Sequence, residues 1–145
     1  MTIATTLKTA AFSLIIAATA APAIAGGNYV DVSQWGWGNG VGGGQIGNFN
    51  TIIVDQGGLW NEAFVMQDGN GNVGAVGQTG ANNGATIGQN GDCNIGGVGQ
   101  FGTNNQADLQ QNGTCNAAAV LQFGDGNTST TTQTGNGNVV AIIQY

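Results

Sequence analysis

Apolar and polar residues alternate along most of the chain in a pattern with a period of eleven. Counting a glutamine as position 0, small or aliphatic residues stand mainly at positions 7 and 9, and the next glutamine follows at position 11. Side chains two residues apart share one face of a β-strand, so each unit predicts one strand with an apolar inner face. Glycine at position 2 and asparagine at position 5 predict a tight turn, because glycine tolerates positive φ and asparagine suits turns.

Three columns of identical residues define this repeat. The glutamine column is Gln34, Gln45, Gln56, Gln67, Gln78, Gln89, Gln100, Gln111, Gln122, Gln133 and Gln144. The asparagine column is Asn39, Asn50, Asn61, Asn72, Asn83, Asn94, Asn105, Asn116, Asn127 and Asn138. The turn glycines are Gly36, Gly47, Gly58, Gly69, Gly80, Gly91, Gly102, Gly113, Gly124 and Gly135. These columns keep the same spacing from residue 34 to residue 144, which indicates that each unit has an equivalent place in the structure. This regularity argues against the disordered tract that a Gln/Asn-rich composition alone would suggest.

Two strand-turn units form a coil of 22 residues, and coils stacked in register bring equivalent residues to about 4.8 Å from each other. The sequence therefore predicts an all-β fold, a β-solenoid of about five such coils with cross-β, amyloid-like stacking. Its thin interior would hold glutamine and asparagine ladders with alanine, valine and isoleucine between them. Buried amides are costly unless paired, and stacking on their own copies supplies the partners.

Residues 1–25 have the features of a secretory signal peptide. Lys8 precedes an uncharged Ala-rich run that ends at Ala23-Ile24-Ala25, a small-x-small cleavage pattern. An N-terminal membrane anchor is the alternative, which Pro22 and the cleavage pattern disfavour. We expect a signal peptide over 1–25, a glycine-containing segment over 26–33 and the solenoid over 34–145. The stretch 26–44 is poorer in core residues, with Gly43 in an aliphatic column. It is an imperfect first unit or a flexible stretch recognised by secretion machinery, and we favour a mixture of the two.

Removal of residues 1–25 would leave seven carboxylates with no Lys, Arg or His. Without basic residues there is no positively charged surface that could bind nucleic acid or an anionic membrane. General acid–base and nucleophilic catalysis usually rely on such groups, so we expect no catalytic residues, no cofactor and no small-molecule substrate. No two acidic residues share a column after folding at 22, which suits stacking because like charges about 4.8 Å apart repel. The same scatter disfavours a metal site.

Aromatic and threonine residues mark two surfaces. Phe101, Phe123 and Tyr145 all follow a column glutamine and predict an outward-facing stack. Such a stack usually stabilises a sheet, and a role in contacts between fibres or with surfaces is the alternative. The Thr-rich run 128–134 could suggest ice binding, but a single Thr-rich unit makes no two-dimensional array. Strand preference explains it better.

The pattern Q-x-G-x-x-N-x-A-x-x-x-Q resembles the repeat of the curlin family, the subunits of the secreted functional amyloid of bacterial biofilms. "QTGANNGATIGQ" (78–89) and "QFGTNNQADLQQ" (100–111) carry it most fully, and the resemblance covers residues 34–144. The family alternates units with serine and asparagine in one column, whereas asparagine fills it here in every unit. The resemblance implies general secretory export, unfolded passage through an outer-membrane secretion pore, and polymerisation outside the cell.

Cys93 and Cys115 are separated by two repeat units, and both stand at position 4 of their units. Stacked coils would place them one above the other with Cα atoms about 4.8 Å apart, within the range of a disulfide. In an oxidising compartment this bond could contribute about 3 kcal/mol. A premature bond would hinder passage through a narrow pore, so reduced or late-oxidised thiols are the alternative. Two sulfurs without a histidine do not complete a zinc site.

These observations predict a secreted structural subunit that self-assembles end to end into a homopolymer, an extracellular curli-like fibre on the bacterial surface for biofilm matrix and adhesion. As a major subunit it would have a nucleator as partner, and a minor nucleator subunit of the same fibre is the first alternative. A monomeric binding solenoid of the adhesin or ice-binding type is the second. It would need a ligand column and polar end caps, and the sequence contains neither.

Overall fold

The computed structural model describes residues 26–145, so the predicted signal peptide lies outside the described residues. The described chain forms eleven strands: β1 (Tyr29–Trp37), β2 (Gly40–Ile46), β3 (Thr51–Leu59), β4 (Glu62–Asp68), β5 (Val73–Ala81), β6 (Gly84–Asn90), β7 (Ile95–Thr103), β8 (Gln106–Thr114), β9 (Ala117–Asp125), β10 (Thr128–Asn136) and β11 (Val139–Gln144). Over this part of the chain, no helix has the length and apolar character needed to cross a membrane.

The strands form two parallel sheets. The six odd-numbered strands follow the order β1-β3-β5-β7-β9-β11, and the five even-numbered strands follow the order β2-β4-β6-β8-β10. Consecutive strands therefore lie in opposite sheets, and each pair of strands makes one coil. Paired residues are always 22 apart, as Gln56 with Gln78 and Gln67 with Gln89. The predicted β-solenoid of 22-residue coils is confirmed, with five coils followed by one further strand.

The core is a thin apolar layer between the two sheets. Its buried residues stand at positions 7 and 9, as the alternation predicts: Ile52, Val54, Ala63, Val65, Val76, Ala85, Ile87, Val98, Ala107, Leu109, Ala118 and Val120. Small residues at position 7 match larger side chains across the layer. A Cβ on Gly74, for example, would lie only 2.8 Å from Cγ1 of Val65.

The first strand begins earlier than the sequence pattern predicts. β1 starts at Tyr29, whereas the repeat was expected to begin at Gln34 after a separate segment over 26–33. Asn28, Val30 and Val32 occupy positions 5, 7 and 9 of an incomplete unit, so β1 can pair in register with β3. Most of the 26–33 segment thus belongs to the solenoid.

Each unit bends at two left-handed backbone positions. All ten glycines at position 2 have φ between 97° and 127°. Seven of them stand within a strand near its C-terminal end, so the sharp turn comes slightly later than predicted. Position 4 also has positive φ, although its residue type varies: Gly38, Phe49, Trp60, Gly71, Asn82, Cys93, Asn104, Cys115, Gly126 and Gly137.

Candidate functional site in the ladders and end strands

The column glutamines form two continuous hydrogen-bonded ladders inside the solenoid. Each Nε2 donates to the Oε1 of the equivalent glutamine in the next coil, at 2.6–2.9 Å. The second amide hydrogen crosses to the opposite sheet, as from Gln78 to the carbonyl oxygen of Glu62 at 2.9 Å. These side chains are almost fully buried in the middle coils. The ladders therefore join coil to coil and sheet to sheet without leaving a buried amide unpaired.

The asparagine ladders hold the turns. Each backbone N–H of the column from Asn50 onward donates to the Oδ1 of the equivalent asparagine in the preceding coil, at 2.8–3.1 Å. From Asn28 to Asn116 the Nδ2 groups also donate to a turn glycine of the following coil, as from Asn72 to the carbonyl oxygen of Gly91 at 2.7 Å. Each asparagine thus fixes the turn on either side of it along the solenoid axis.

The two kinds of ladder have opposite directions. Glutamine amides donate towards the C-terminal end of the solenoid, as from Gln78 to Gln100. Asparagine N–H groups donate towards the N-terminal end, as from Asn94 to Asn72. The two ends of the solenoid consequently present different hydrogen-bonding groups, so the molecule is polar along its axis.

At the N-terminal end, β1 and β2 each have an uncovered edge among the described residues. Val30 and Val32 stand at core positions, yet 57% and 43% of their surface is exposed, against 1% for Val54. Gln34 and Gln45 donate to their neighbours but, among residues 26–145, their Oε1 atoms accept no hydrogen bond. This end offers free glutamine acceptors and free strand edges.

The N–H groups of Asn28 and Asn39 complete the N-terminal end. Their Oδ1 atoms accept from the backbone N–H groups of Asn50 and Asn61, one coil later, at 2.8 Å and 3.0 Å. Within the described part of the chain no preceding asparagine is present to accept from them. This end therefore combines asparagine donors with glutamine acceptors.

The C-terminal end, formed by β10 and β11, offers the converse groups. Gln133 and Gln144 each donate one amide hydrogen to a backbone oxygen at 3.1 Å, and the hydrogen that would continue the ladder has no acceptor in residues 26–145. Asn127 and Asn138 donate to earlier asparagines, and their Oδ1 atoms accept nothing from the described residues. Donors and acceptors at this end match the acceptors and donors at the other.

Cys93 and Cys115 lie in adjacent coils at the same turn. The structure joins them in a disulfide with Cα atoms 4.5 Å apart. Both have left-handed backbone, with φ of 63° and 53°, so the shared position-4 geometry aligns the two side chains.

The aromatic column lies on the outer face of the odd-numbered sheet. The ring centroids of Phe101 and Phe123 are 5.3 Å apart, and those of Phe123 and Tyr145 are 5.6 Å apart, with nearly parallel rings in both pairs. The Thr-rich run, in contrast, forms β10, the last strand of the even-numbered sheet.

Acidic residues are scattered over the surface. Among residues 26–145 no three His, Cys, Asp or Glu side chains come together in a group able to hold a metal ion. The hydrogen bonds that Thr103 Oγ1 and Asn104 Nδ2 donate to Asp125, at 2.7 Å and 2.9 Å, lower the pKa of this carboxyl below its ordinary value of 3.8. This contact fixes one surface turn to the next coil.

Sequence reasoning missed Asn28 and the special backbone of position 4. Asn28 stands one repeat unit before Asn39, so extending the asparagine column by one step would have found it. Position 4 gave a partial signal, because six of its ten residues are glycine or asparagine, which favour left-handed backbone. Phe49, Trp60 and the two cysteines obscured it.

A family model described as a curlin-associated repeat matches the chain at residues 61–91, 80–113 and 102–135. Together the matches span 61–135, which is more than half of the chain. Their last residues, 91, 113 and 135, are spaced by one coil of the solenoid. No curated protein and no solved structure matches the chain significantly.

Proposed function

The chain belongs to the curlin family, and from that premise we propose that it is a secreted subunit that assembles end to end into extracellular amyloid fibres. The observation that carries this proposal is the complementarity of its two ends. Free glutamine acceptors and asparagine donors at β1 and β2 correspond to free glutamine donors and asparagine acceptors at β10 and β11. A second copy is the partner that satisfies all four sets at once.

Assembly would also bury apolar surface that the single chain leaves exposed. Val30 and Val32 would acquire the packing that the equivalent residues Ile52 and Val54 already have. Burial of a valine side chain contributes about 1.5–3 kcal/mol. Apolar burial and strand pairing therefore favour the same end-to-end contact.

The curlin repeat and the β-solenoid are structural rather than enzymatic, and the composition supports a subunit that performs no catalysis. Residues 26–145 contain no Lys, Arg or His to serve as a base or to stabilise an oxyanion. The buried polar side chains are mostly the amides of the asparagine and glutamine columns, whose hydrogen bonds form the ladders.

The leader-like sequence of residues 1–25 and the family support export by the general secretory route, followed by an outer-membrane secretion pore. A fibre on the cell surface, in a biofilm matrix, is the proposed location. Regular ladders up to Gln144 favour the major subunit, which would grow from a nucleator. A monomeric binding solenoid would require covered ends, and β1 and β11 are uncovered within residues 26–145.

Assembly of residues 26–145 without denaturant tests the proposal. We expect fibres with a cross-β reflection at about 4.7–4.8 Å. Val140→Asp places a charge at a core position of β11 and should abolish fibres, whereas Ala141→Asp lies on the outer face of the same strand and should permit them. A stable soluble monomer, or fibres from both variants alike, would overturn the proposal.

A further inference from the structure

Residues 26–145 form an odd number of strands, and this determines how one copy can continue another. The odd-numbered sheet has six strands and the even-numbered sheet has five. Each strand is one repeat unit of a continuous path that alternates between the sheets, so β11 stands one step beyond β10. The next two steps of the path would be a strand on β10 and then a strand on β11.

The two simplest placements of a second copy differ in how they cover the offset ends of the two sheets, β10 and β11. A copy added without rotation would put its β1 on β11, leaving β10 uncovered and a gap one strand wide in the even-numbered sheet. A copy rotated by half a turn about the axis would put its β1 on β10 and its β2 on β11, leaving no gap. Resting on the end-to-end assembly proposed above, we propose that neighbouring copies in the fibre are related by this half-turn.

The rotation is possible because the two sheets are built from the same repeat unit. β1 and β10 are equally long, and placing Gln34 on Gln133 pairs the two strands along their whole length. β2 then places Gln45 on Gln144. At the joint, odd-numbered strands of one copy would therefore continue the even-numbered sheet of the other.

All four ladders continue through this joint. Gln133 would donate to Gln34 of the added copy, and Gln144 to its Gln45. In the opposite direction, Asn28 and Asn39 of the added copy would donate to Asn127 and Asn138. These are the groups that lack a ladder partner among residues 26–145. A head-to-head contact would instead place glutamine acceptors opposite glutamine acceptors.

The chain length agrees with the same placement. Each added copy advances the path by eleven repeat units, and residues 26–145 fill all but one of the positions in those units. If the positions of the path are numbered onward from the first copy into the added copy, Gly26 of the added copy takes the second position after Tyr145. With residues 1–25 removed, as the proposed export requires, the described parts of the two chains would meet in one turn without overlapping.

Helical reconstruction of the wild-type fibre by electron cryomicroscopy tests the inference. Eleven strands in two sheets advance the axis by five and a half strand spacings, so the half-turn gives a rise of about 26 Å per copy. Copies added to β11 without rotation would repeat at about 29 Å. Absence of fibres would overturn the proposed function and this inference together, whereas fibres of unrotated copies would overturn the half-turn alone.

Paired cysteines supply a second test on the full chain. Ser33 and Thr132 both face outward and would be paired across the half-turn joint. Oxidised fibres of Ser33→Cys/Thr132→Cys should therefore yield a ladder of covalent oligomers on a non-reducing gel. The matched control Ser33→Cys/Ile143→Cys, which pairs only when β1 lies on β11, should remain monomeric. Cross-linking in the control and not in the first variant would overturn the inference.

Deletion of residues 117–127 gives an independent test, because it removes one unit and keeps the phase of all others. Ten strands would end level in both sheets, so copies should then stack without rotation at about 24 Å. A half-turn that persisted in this variant would contradict the dependence on strand number. If the variant forms no fibres, the wild-type symmetry and the cysteine pairs still decide the question.

Discussion

Gly69 and Gly71 lie two residues apart in one turn, yet their surroundings differ. Gly69 has φ of 127°, and a Cβ there would overlap the backbone carbonyl oxygen of Gly91 in the next coil. Gly71 has φ of 65°, and a Cβ there would meet nothing within 4 Å. The first glycine is required by the close approach of coils, and the second only by its backbone angle.

We therefore expect Gly69→Ala to prevent stable stacking, because the overlapping atom is backbone and cannot move aside. Gly71→Ala should cost only about 1 kcal/mol, the ordinary penalty of left-handed backbone for alanine. Guanidinium denaturation followed by circular dichroism compares the two variants. Equal losses of stability would show that the close approach at position 2 has no special role.

Asp125 links stability to pH. Its hydrogen bonds from Thr103 and Asn104 lower the pKa in the folded state, so the ionised form is favoured by folding. The resulting stabilisation is complete well above the ordinary value of 3.8 and is lost as the pH falls through the lowered value. Wild type should exceed Asp125→Asn in stability near neutral pH, and the difference should shrink as the pH falls through the lowered pKa.

Denaturation curves of both proteins over a series of pH values from neutral to acid measure this difference. Asp68→Asn serves as control, since Asp68 is exposed at the end of β4 in the other sheet. A gap between wild type and Asp125→Asn that stayed constant with pH would refute the assignment.

Ladders make each strand dependent on both of its neighbours. Gln78 accepts from Gln56 at 2.6 Å and donates to Gln100 at 2.7 Å, with all three side chains buried. Gln78→Ala would leave the Gln56 donor and the Gln100 acceptor unpaired in the interior. Unsatisfied buried groups cost about 1–3 kcal/mol each, so we expect a loss of about 2–6 kcal/mol in the free energy of unfolding.

Gln110→Ala is the matched control for this ladder variant. Gln110 lies on the outer face of β8, where its amide donates only to Asp108. Its replacement should change the free energy of unfolding by no more than about 0.5 kcal/mol. Similar losses for both variants in denaturant titrations would mean that ladder continuity contributes little.

The disulfide between Cys93 and Cys115 would act on β7 to β9 as a clamp between coils. Closing a loop the length of one coil restricts the unfolded chain, which predicts a stabilisation of about 3 kcal/mol in the oxidised protein. Cys93→Ser/Cys115→Ser should therefore resemble the reduced wild type in denaturant. Peptide mass spectrometry of assembled fibres locates the bond, and free thiols in mature fibres would contradict its presence.

Phase alone made the strands and their register predictable, because three residue columns repeat without a slip from Gln34 to Gln144. The start of β1 at Tyr29 agrees with an imperfect first unit, but the sequence did not mark that unit as solenoid, since the unit of Asn28 lacks the glutamine and glycine of the others. Ladder direction could not be predicted, because it depends on how each amide is oriented towards the backbone of neighbouring strands. Left-handed backbone at Phe49 and Trp60 is imposed by the stacked coils against local preference.

Both outer faces of the whole molecule combine apolar and acidic side chains. The odd-numbered sheet exposes Ile53 and Phe101 and carries Asp55. The even-numbered sheet exposes Phe64 and Met66 between Glu62 and Asp68. Copies related by a half-turn would alternate the two faces along each side of the fibre, and acidic residues would interrupt the apolar surface on both sides, which limits lateral aggregation of fibres.

Charge should govern how readily whole molecules add to one another. Residues 26–145 hold all seven acidic residues and no Lys, Arg or His. With a rise of about 26 Å per copy, the fibre would carry one negative charge per about 4 Å of its axis. The screening length is about 30 Å at 0.01 M salt and about 10 Å at 0.1 M, so repulsion between successive copies extends much further in dilute salt.

We therefore expect sodium chloride, raised from about 0.01 M to 0.1 M, to accelerate elongation from preformed seeds and to lower the concentration of free monomer at equilibrium. Asp31→Asn/Asp55→Asn/Asp68→Asn reduces the number of carboxylates from seven to four and should show a weaker dependence on salt. Seeded thioflavin T kinetics with sedimentation of the remaining monomer measure both quantities. Elongation that slowed with added salt, or a triple variant as sensitive as wild type, would show that repulsion between copies does not limit growth. Strand pairing and burial of the end valines would then set the rate, since they depend only weakly on ionic strength over this range.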